Sequence, residues 1–201
     1  TTGCSNSTRG LAGSGIYNNT GKSNVVNYVT IATLGNALDY GDLSAGRDSP
    51  TATASTTRAI FAGGDASTSD NIIDYRTIST TGNFSDFGDL TVARYELASA
   101  SSSTRALFCG GNTSSNTIDY VTISSTGNAI DFGNLTENKT QKPGAASSPT
   151  RAVINGGFNG SDTSERIDYV TISSTGNAAV FGNMVLGRRF TASASTAHGG
   201  I

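Results

Sequence analysis

Four arginines stand at matching places along the chain. Arg9, Arg58, Arg105 and Arg151 each sit in a Thr-Arg-Ala or Thr-Arg-Gly context, 46–49 residues after the one before. A guanidinium is a planar fork of donors that grips carboxylates in pairs, so four on one face could hold an acidic ligand. The chain also carries acidic residues at a second repeated position, Asp74, Asp119 and Asp168, with Asn27 standing there in the first copy. The simpler expectation is an internal ladder, each arginine pairing with the aspartate of its own or a neighbouring unit. A residue kept in every copy within one chain is a property of the unit before it is a unique site.

Other reactive side chains are sparse. His198 is the one histidine, without a second His or a Cys beside it, so the sequence assembles neither a zinc site nor a Ser-His-Asp arrangement. Cys4 and Cys109 fall at different positions of the unit, which reads as two small buried side chains and not a disulfide framework. Asp65, Asp70 and Asp162 offer oxygens to calcium, but other copies have Asn and Ser there, and solvated loops are expected. Gly13-Ser14-Gly15 looks like a phosphate loop, yet no helical pattern follows to offer an N-terminus. The expectation is a protein without catalytic, cofactor or metal residues.

Composition narrows the partners. Lys and Arg together number 13 and the formal net charge is −2. A nucleic-acid binder shows a basic stripe that displaces counterions from phosphates, and none is visible, so nucleic acid is not an expected partner. No apolar run approaches the ~18 residues of a membrane span, so membrane insertion is not expected either. The charged fraction is 14%, well below the roughly 25% of ordinary domains. Ser, Thr, Asn and Gly replace the missing charge and solvate the surface by hydrogen bonding.

The elements that must position these residues come from an internal repeat. Besides the arginine landmark, Asp/Asn-Tyr-x-Thr-Ile recurs at Tyr28, Tyr75, Tyr120 and Tyr169, and Gly-Asn-x-x-x-Phe/Tyr-Gly recurs from Gly35, Gly82, Gly127 and Gly176. Each unit reads as four short strands. In the third copy these are 97–101, 105–109, 117–123 and 129–135, separated by Gly-Gly-Asn and Ser-Thr-Gly-Asn turn chemistry. Ile118-Asp119-Tyr120-Val121-Thr122-Ile123 is apolar on both faces, as in a sheet buried from both sides. No segment has helical periodicity. Four antiparallel strands at a period of about 47 residues predict an all-β fold, a β-propeller of four-stranded blades; a β-solenoid is the alternative. The blades run over 1–49, 50–96, 97–143 and 144–190, and 191–201 begin a further one. The chain is thus expected to be a fragment of one longer repeat domain.

An apolar strand ending in Gly63-Gly64, Gly110-Gly111 or Gly156-Gly157, then a Tyr-bearing and an aromatic-bearing strand, resembles the kelch repeat. The first copy departs with Gly13-Ser14-Gly15, and Tyr40, Phe87, Phe132 and Phe181 stand where kelch blades carry Trp. Kelch propellers include a copper oxidase needing two His, two Tyr and a Cys crosslink, a set this chain does not supply. More closely, Ile-Asp-Tyr-Val-Thr-Ile-Ser-Ser-Thr-Gly-Asn is similar to repeats in large structural proteins of marine bacteriophages, including cyanophage tail and fibre components. That resemblance implies a non-enzymatic virion protein located on the particle or outside the cell, displayed to other virion proteins or to host-surface glycans and proteins, with oligomers admissible. A lectin-like glycan-binding propeller is the alternative.

Between the fourth strand of one unit and the first of the next the copies diverge, and charge collects there. Arg47, Asp48, Arg94, Glu96, Lys139, Lys142, Arg188 and Arg189 are the candidate rim residues of a recognition surface, since loops tolerate variation and carry binding.

Overall fold

The computed structural model describes residues 1–18, 21–112 and 115–194. Its regular structure is β throughout, with no helix among the described residues. The first sheet is β1 (Thr2–Ser5), β2 (Arg9–Tyr17), β3 (Gly21–Thr30) and β4 (Leu38–Asp42). The second is β5 (Thr51–Ala54), β6 (Arg58–Ala62), β7 (Ile72–Thr77) and β8 (Ser85–Asp89). The third is β9 (Ala98–Ser101), β10 (Arg105–Cys109), β11 (Thr117–Thr122) and β12 (Ile130–Asn134). The fourth is β13 (Gly144–Ser147), β14 (Arg151–Asn155), β15 (Arg166–Thr171) and β16 (Ala179–Asn183). Every sheet is a four-stranded antiparallel meander in chain order. The strands expected in the third copy lie within a residue or so of those observed.

Local chemistry sets the turns. Ser55, Ser102 and Ser148 accept the backbone N–H of Arg58, Arg105 and Arg151 through their hydroxyls, and Asn6 does the same for Arg9 through its side-chain carbonyl. These side chains offer the backbone a local acceptor and so close the first hairpin of each sheet.

Each third–fourth strand pair shifts register at the same point, between Val26/Asn27, Ile73/Asp74, Ile118/Asp119 and Ile167/Asp168. The extra residue on the fourth strand is the repeated aromatic, Tyr40, Phe87, Phe132 or Phe181. A bulge re-aims a side chain, and here it turns the ring onto the tyrosine of the third strand: Tyr75–Phe87 and Tyr120–Phe132 meet edge-on at 5.5 and 5.8 Å. The following glycine is required twice over. Gly88 has φ of 141°, and a Cβ there would lie 2.5 Å from the backbone of Gly127 in the next sheet.

The cores lie between sheets. Leu11, Val26 and Tyr40 of the first pack on Ala59, Phe61 and Phe84 of the second. Ile60, Ile73 and Phe87 pack on Ala106, Phe108 and Ile123 of the third. Leu107, Ile118 and Phe132 pack on Ala152, Ile154 and Ile172 of the fourth. The two central sheets are therefore buried on both faces. Their innermost strands, β5 and β9, approach each other and are joined by hydroxyl contacts, Thr51 Oγ1 to Ser99 Oγ at 2.6 Å and Thr53 Oγ1 to Ser101 Oγ at 2.9 Å. Together β1, β5, β9 and β13 line a cavity of about 210 Å³.

Both cysteines are free thiols. Burial pushes Cys109, which has no exposed surface, up to about 12, and does the same for the half-buried Cys4. At neutral pH only on the order of 10⁻⁴ to 10⁻⁵ of such a thiol is thiolate. We expect Cys109 not to react with DTNB over hours under native conditions and two equivalents of thionitrobenzoate to be released in denaturant; rapid native labelling of Cys109 would contradict this packing.

Candidate functional site

The variable loops turn out to hold two populations of charge. Arg47, Arg94 and Lys139 have no exposed surface at all. Each loop crosses to the following sheet and drives its cation beneath that sheet's third strand. Arg47 Nη2 donates to Asp74 Oδ2 at 2.6 Å and its Nη1 to the Ile72 carbonyl at 3.1 Å. Arg94 Nη2 donates to Asp119 Oδ2 at 2.5 Å, and its Nη1 to the carbonyls of Gly110 and Thr117 at 2.5 and 3.1 Å. Lys139 Nζ occupies the third such place and donates to the Arg166 carbonyl at 2.8 Å, Glu137 Oε1 at 3.2 Å and Ser164 Oγ at 3.2 Å. These three cations are structural, which corrects their reading as displayed rim residues. Moving a charge out of water is tolerable only with such a set of partners.

The same geometry corrects the expected ladder. Asp74, Asp119 and Asp168 are fully buried, but the first two answer to the loop arginines and not to the repeated ones. The remaining partner is a repeated hydroxyl that sequence reasoning passed over: Ser44 donates to Asp74, Thr91 to Asp119 and Thr136 to Asp168. Its signal was present, since each directly follows the repeated Leu43, Leu90 or Leu135 of its unit. Burial raises Asp74 above the usual carboxylate range, and the attraction of Arg47 only partly opposes it.

The repeated arginines lie flat on tyrosines instead. Arg9, Arg58, Arg105 and Arg151 sit 4.6–4.9 Å over the rings of Tyr28, Tyr75, Tyr120 and Tyr169. The first three also reach across to the next sheet, donating to the carbonyls of Ile78, Ile123 and Ile172 at 2.8, 2.7 and 3.0 Å. Ring contact and carbonyl contact together give the repeated arginines a structural role at the junctions between sheets.

Lys139 and Glu137 make the third junction pH-dependent. Burial raises Glu137, but the Ser164 hydrogen bond and the Lys139 ammonium outweigh it and hold the carboxyl below its ordinary range. A depressed folded value means stability that is present above the unfolded pKa and lost as pH falls through the folded one. We expect Glu137→Gln to destabilise at pH 7 and to flatten the loss of stability on acidification, read from urea midpoints between pH 7 and pH 3; identical pH profiles would contradict the assignment.

The second population remains at the surface. Asp48, Glu96 and Lys142 are half-buried, and Arg188 and Arg189 are exposed. Asp48 caps Ser49 N–H at 2.7 Å and its backbone pairs with Asp65. Glu96 is raised by burial and pulled back by Lys142. Arg189 donates to Gln141 Oε1 at 2.6 Å. Each loop ends in a left-handed residue, Ser49, Glu96, Lys142 or Phe190, and the first three lead into β5, β9 and β13. Neighbouring loops join through Glu96 N–H to Ser49 O and Phe190 N–H to Gln141 O. They lie beside a cavity of about 280 Å³ lined by Thr1, Pro50, Leu97, Lys142 and Thr191.

No family model matches this chain, and a search of curated proteins finds no similar one.

The remaining candidates resolve into local contacts. Asp65 forms an ion pair with Lys22 at 2.7 Å, and Asp70 lies 3.9 Å from Arg47. Asp162 accepts from the N–H of Thr163. Ser14, inside β2, donates its hydroxyl to the Arg47 carbonyl. Among the described residues no three His, Cys, Asp or Glu side chains gather at metal-binding distance. His198 lies outside the described residues.

Two shallow grooves repeat on the outer side. One, of about 200 Å³, lies among Phe87, Tyr120, Val121, Asn128 and Ile130. Its equivalent in the fourth sheet, about 240 Å³, lies among Tyr169, Val170, Asn177 and Ala179. In the second sheet Arg76 replaces the valine and spans this region, donating to the Thr81 carbonyl at 2.8 Å.

Proposed function

We propose that the four sheets are kelch-like blades of a β-propeller, and that the chain is a non-enzymatic structural or adhesive component of a bacteriophage tail or fibre. On this reading the blades are a rigid platform and the loop mouth is the displayed surface. The supporting observation is the threefold recurrence of one inter-sheet junction: a buried loop cation, a stacked arginine reaching an isoleucine carbonyl, and an apolar core. That junction holds while the loops above it change in length and charge, which is what a display scaffold needs. The weakly charged Ser/Thr/Asn/Gly surface fits a particle exterior. Mass spectrometry and labelling of purified virions test the role: the chain should co-purify with particles and be labelled at the tail. Recovery solely as a free cellular protein would overturn it.

The equivalent grooves at Tyr120 and Tyr169 favour a second reading, a lectin-like module with repeated weak sites acting together. A glycan array would then show binding, and Val121→Arg with Val170→Arg would abolish it by copying Arg76. Binding that survives both substitutions would remove the grooves from consideration.

A further inference from the structure

The end sheets each leave bare the face that the other sheets bury. Phe181 of β16 is 55% exposed, whereas Tyr40, Phe87 and Phe132 at the same place are 1–3% exposed. Ile31, just beyond β3, is 56% exposed, whereas Ile78, Ile123 and Ile172 are 0–2% exposed. Isolated exposed apolar residues need no explanation. These two mark the opposite halves of a junction that the chain builds three times elsewhere.

The polar groups match in the same way. At each internal junction a Gly-Asn loop caps the outer edge of the preceding sheet. Gly82 and Phe84 donate their N–H groups to the carbonyls of Tyr40 and Asp42, and Asn83 Oδ1 accepts from Asp42 N–H. Gly127, Ala129 and Asn128 treat Phe87 and Asp89 identically, and Gly176, Ala178 and Asn177 treat Phe132 and Asn134 identically. Among the described residues, the corresponding acceptors and donor on the fourth sheet, Phe181 O, Asn183 O and Asn183 N–H, have no such cap. On the first sheet, Gly35 N–H, Ala37 N–H and Asn36 Oδ1 cap no strand edge among the described residues. Arg151 stacks on Tyr169 as its counterparts do, but without a carbonyl from a following sheet.

The chain itself already reaches that place. Thr191 N–H donates to the Lys142 carbonyl at 3.1 Å and Asn155 Nδ2 to Ser193 Oγ at 3.4 Å. Residues 191–194 thus run beside the fourth sheet as β9 and β13 run beside theirs, and line the same axial cavity as β1. Lys142 Nζ is 3.4 Å from the Thr1 carbonyl, so the opening between the end sheets is narrow at the axis. A second copy of this chain docking its first sheet there would put its own β1 where residues 191–194 lie.

We propose that the space between the fourth and first sheets seats one further four-stranded sheet of this same repeat, with residues 191–194 as its innermost strand. Its other three strands carry an isoleucine carbonyl for Arg151, a Gly-Asn loop for β16, and an aromatic-Gly edge that receives Gly35–Ala37. This rests on the radial packing of blades proposed above and is independent of the virion role.

The test extends the full chain. Residues 101–135, which complete the third repeat from the position equivalent to 195, are appended after Ala194 in place of 195–201. The chain has no tryptophan, so Phe181→Trp places a single reporter at the junction. In the 201-residue chain the indole should be freely quenched by acrylamide; in the extended chain quenching should fall several-fold, and amide exchange at Gly35, Ala37 and Asn183 should slow at least tenfold. Unchanged quenching and exchange in an extended chain that folds would overturn the proposal. If the extension fails to fold, the original chain still decides: protected amides and a shielded indole in a self-associated 201-residue chain, seen by sedimentation, would make the occupant a second copy and overturn it too. Unchanged quenching and exchange in a folded extended chain, beside a positive virion localisation, would sink the added sheet and leave the virion role standing.

Discussion

Arg94→Ala is expected to lower the unfolding free energy by about 3–5 kcal/mol, the usual cost of leaving one member of a buried ion pair without its partner. Asp119 would keep the Thr91 hydroxyl at 2.6 Å but lose the guanidinium at 2.5 Å, and the carbonyls of Gly110 and Thr117 would lose their donor. Equilibrium urea unfolding measures it as a shift in midpoint at constant slope. The informative comparison is the double variant Arg94→Met with Asp119→Leu, which removes both charges and keeps the volume. Apolar replacement of a whole buried pair is often neutral or stabilising, so the double variant should recover most of the loss. A double variant as unstable as Arg94→Ala would mean that the arginine's backbone contacts, and not the charge pair, hold the loop. Arg105→Ala should cost less, about 1–2 kcal/mol, because it removes one ring contact and one hydrogen bond at a half-buried site.

The second large effect separates two residues of one motif. Phe132→Ala is expected to cost about 3–5 kcal/mol, because the ring is enclosed by Leu107, Ile118, Ile154 and Ile172 and its removal leaves a cavity. Phe181→Ala, in the same Phe-Gly-Asn context, is expected to cost under about 1 kcal/mol, since its ring is more than half exposed and meets chiefly Tyr169 at 6.0 Å. Thermal and urea unfolding of both variants check the contrast. Equal losses would mean that the face of the fourth sheet is covered in solution. In the chain extended by a further repeat, the cost of Phe181→Ala should rise toward that of Phe132→Ala.

The arginines show why part of the candidate site was hidden from a reading along the chain. Arg47 and Arg58 are the same residue type in polar, turn-rich contexts, and regularity favoured Arg58 as the partner of Asp74. Regularity in sequence reports that a contact repeats and does not say with what. The partner was chosen by which segment crosses beneath the next sheet, and that segment is a loop whose residues vary: Arg, Arg, then Lys. Variation there reads as an exposed recognition surface. Burial tolerates it because any cation long enough to reach the carbonyls of the third strand satisfies them.

What the sequence determined by itself is what depends on neighbours along the chain. The four strands of each unit, the Gly-Gly and Gly-Asn turns between them, and the strand bounds of the third copy all follow from local backbone chemistry, and four repetitions made them legible. What only the tertiary structure decided is which side chains lose their water. Phe132 and Phe181, or Ile78 and Ile31, are indistinguishable in local pattern, yet one of each pair is sealed and the other is open. Burial is set by the adjacent sheet, and whether an adjacent sheet stands there is a property of the assembly that no single repeat encodes.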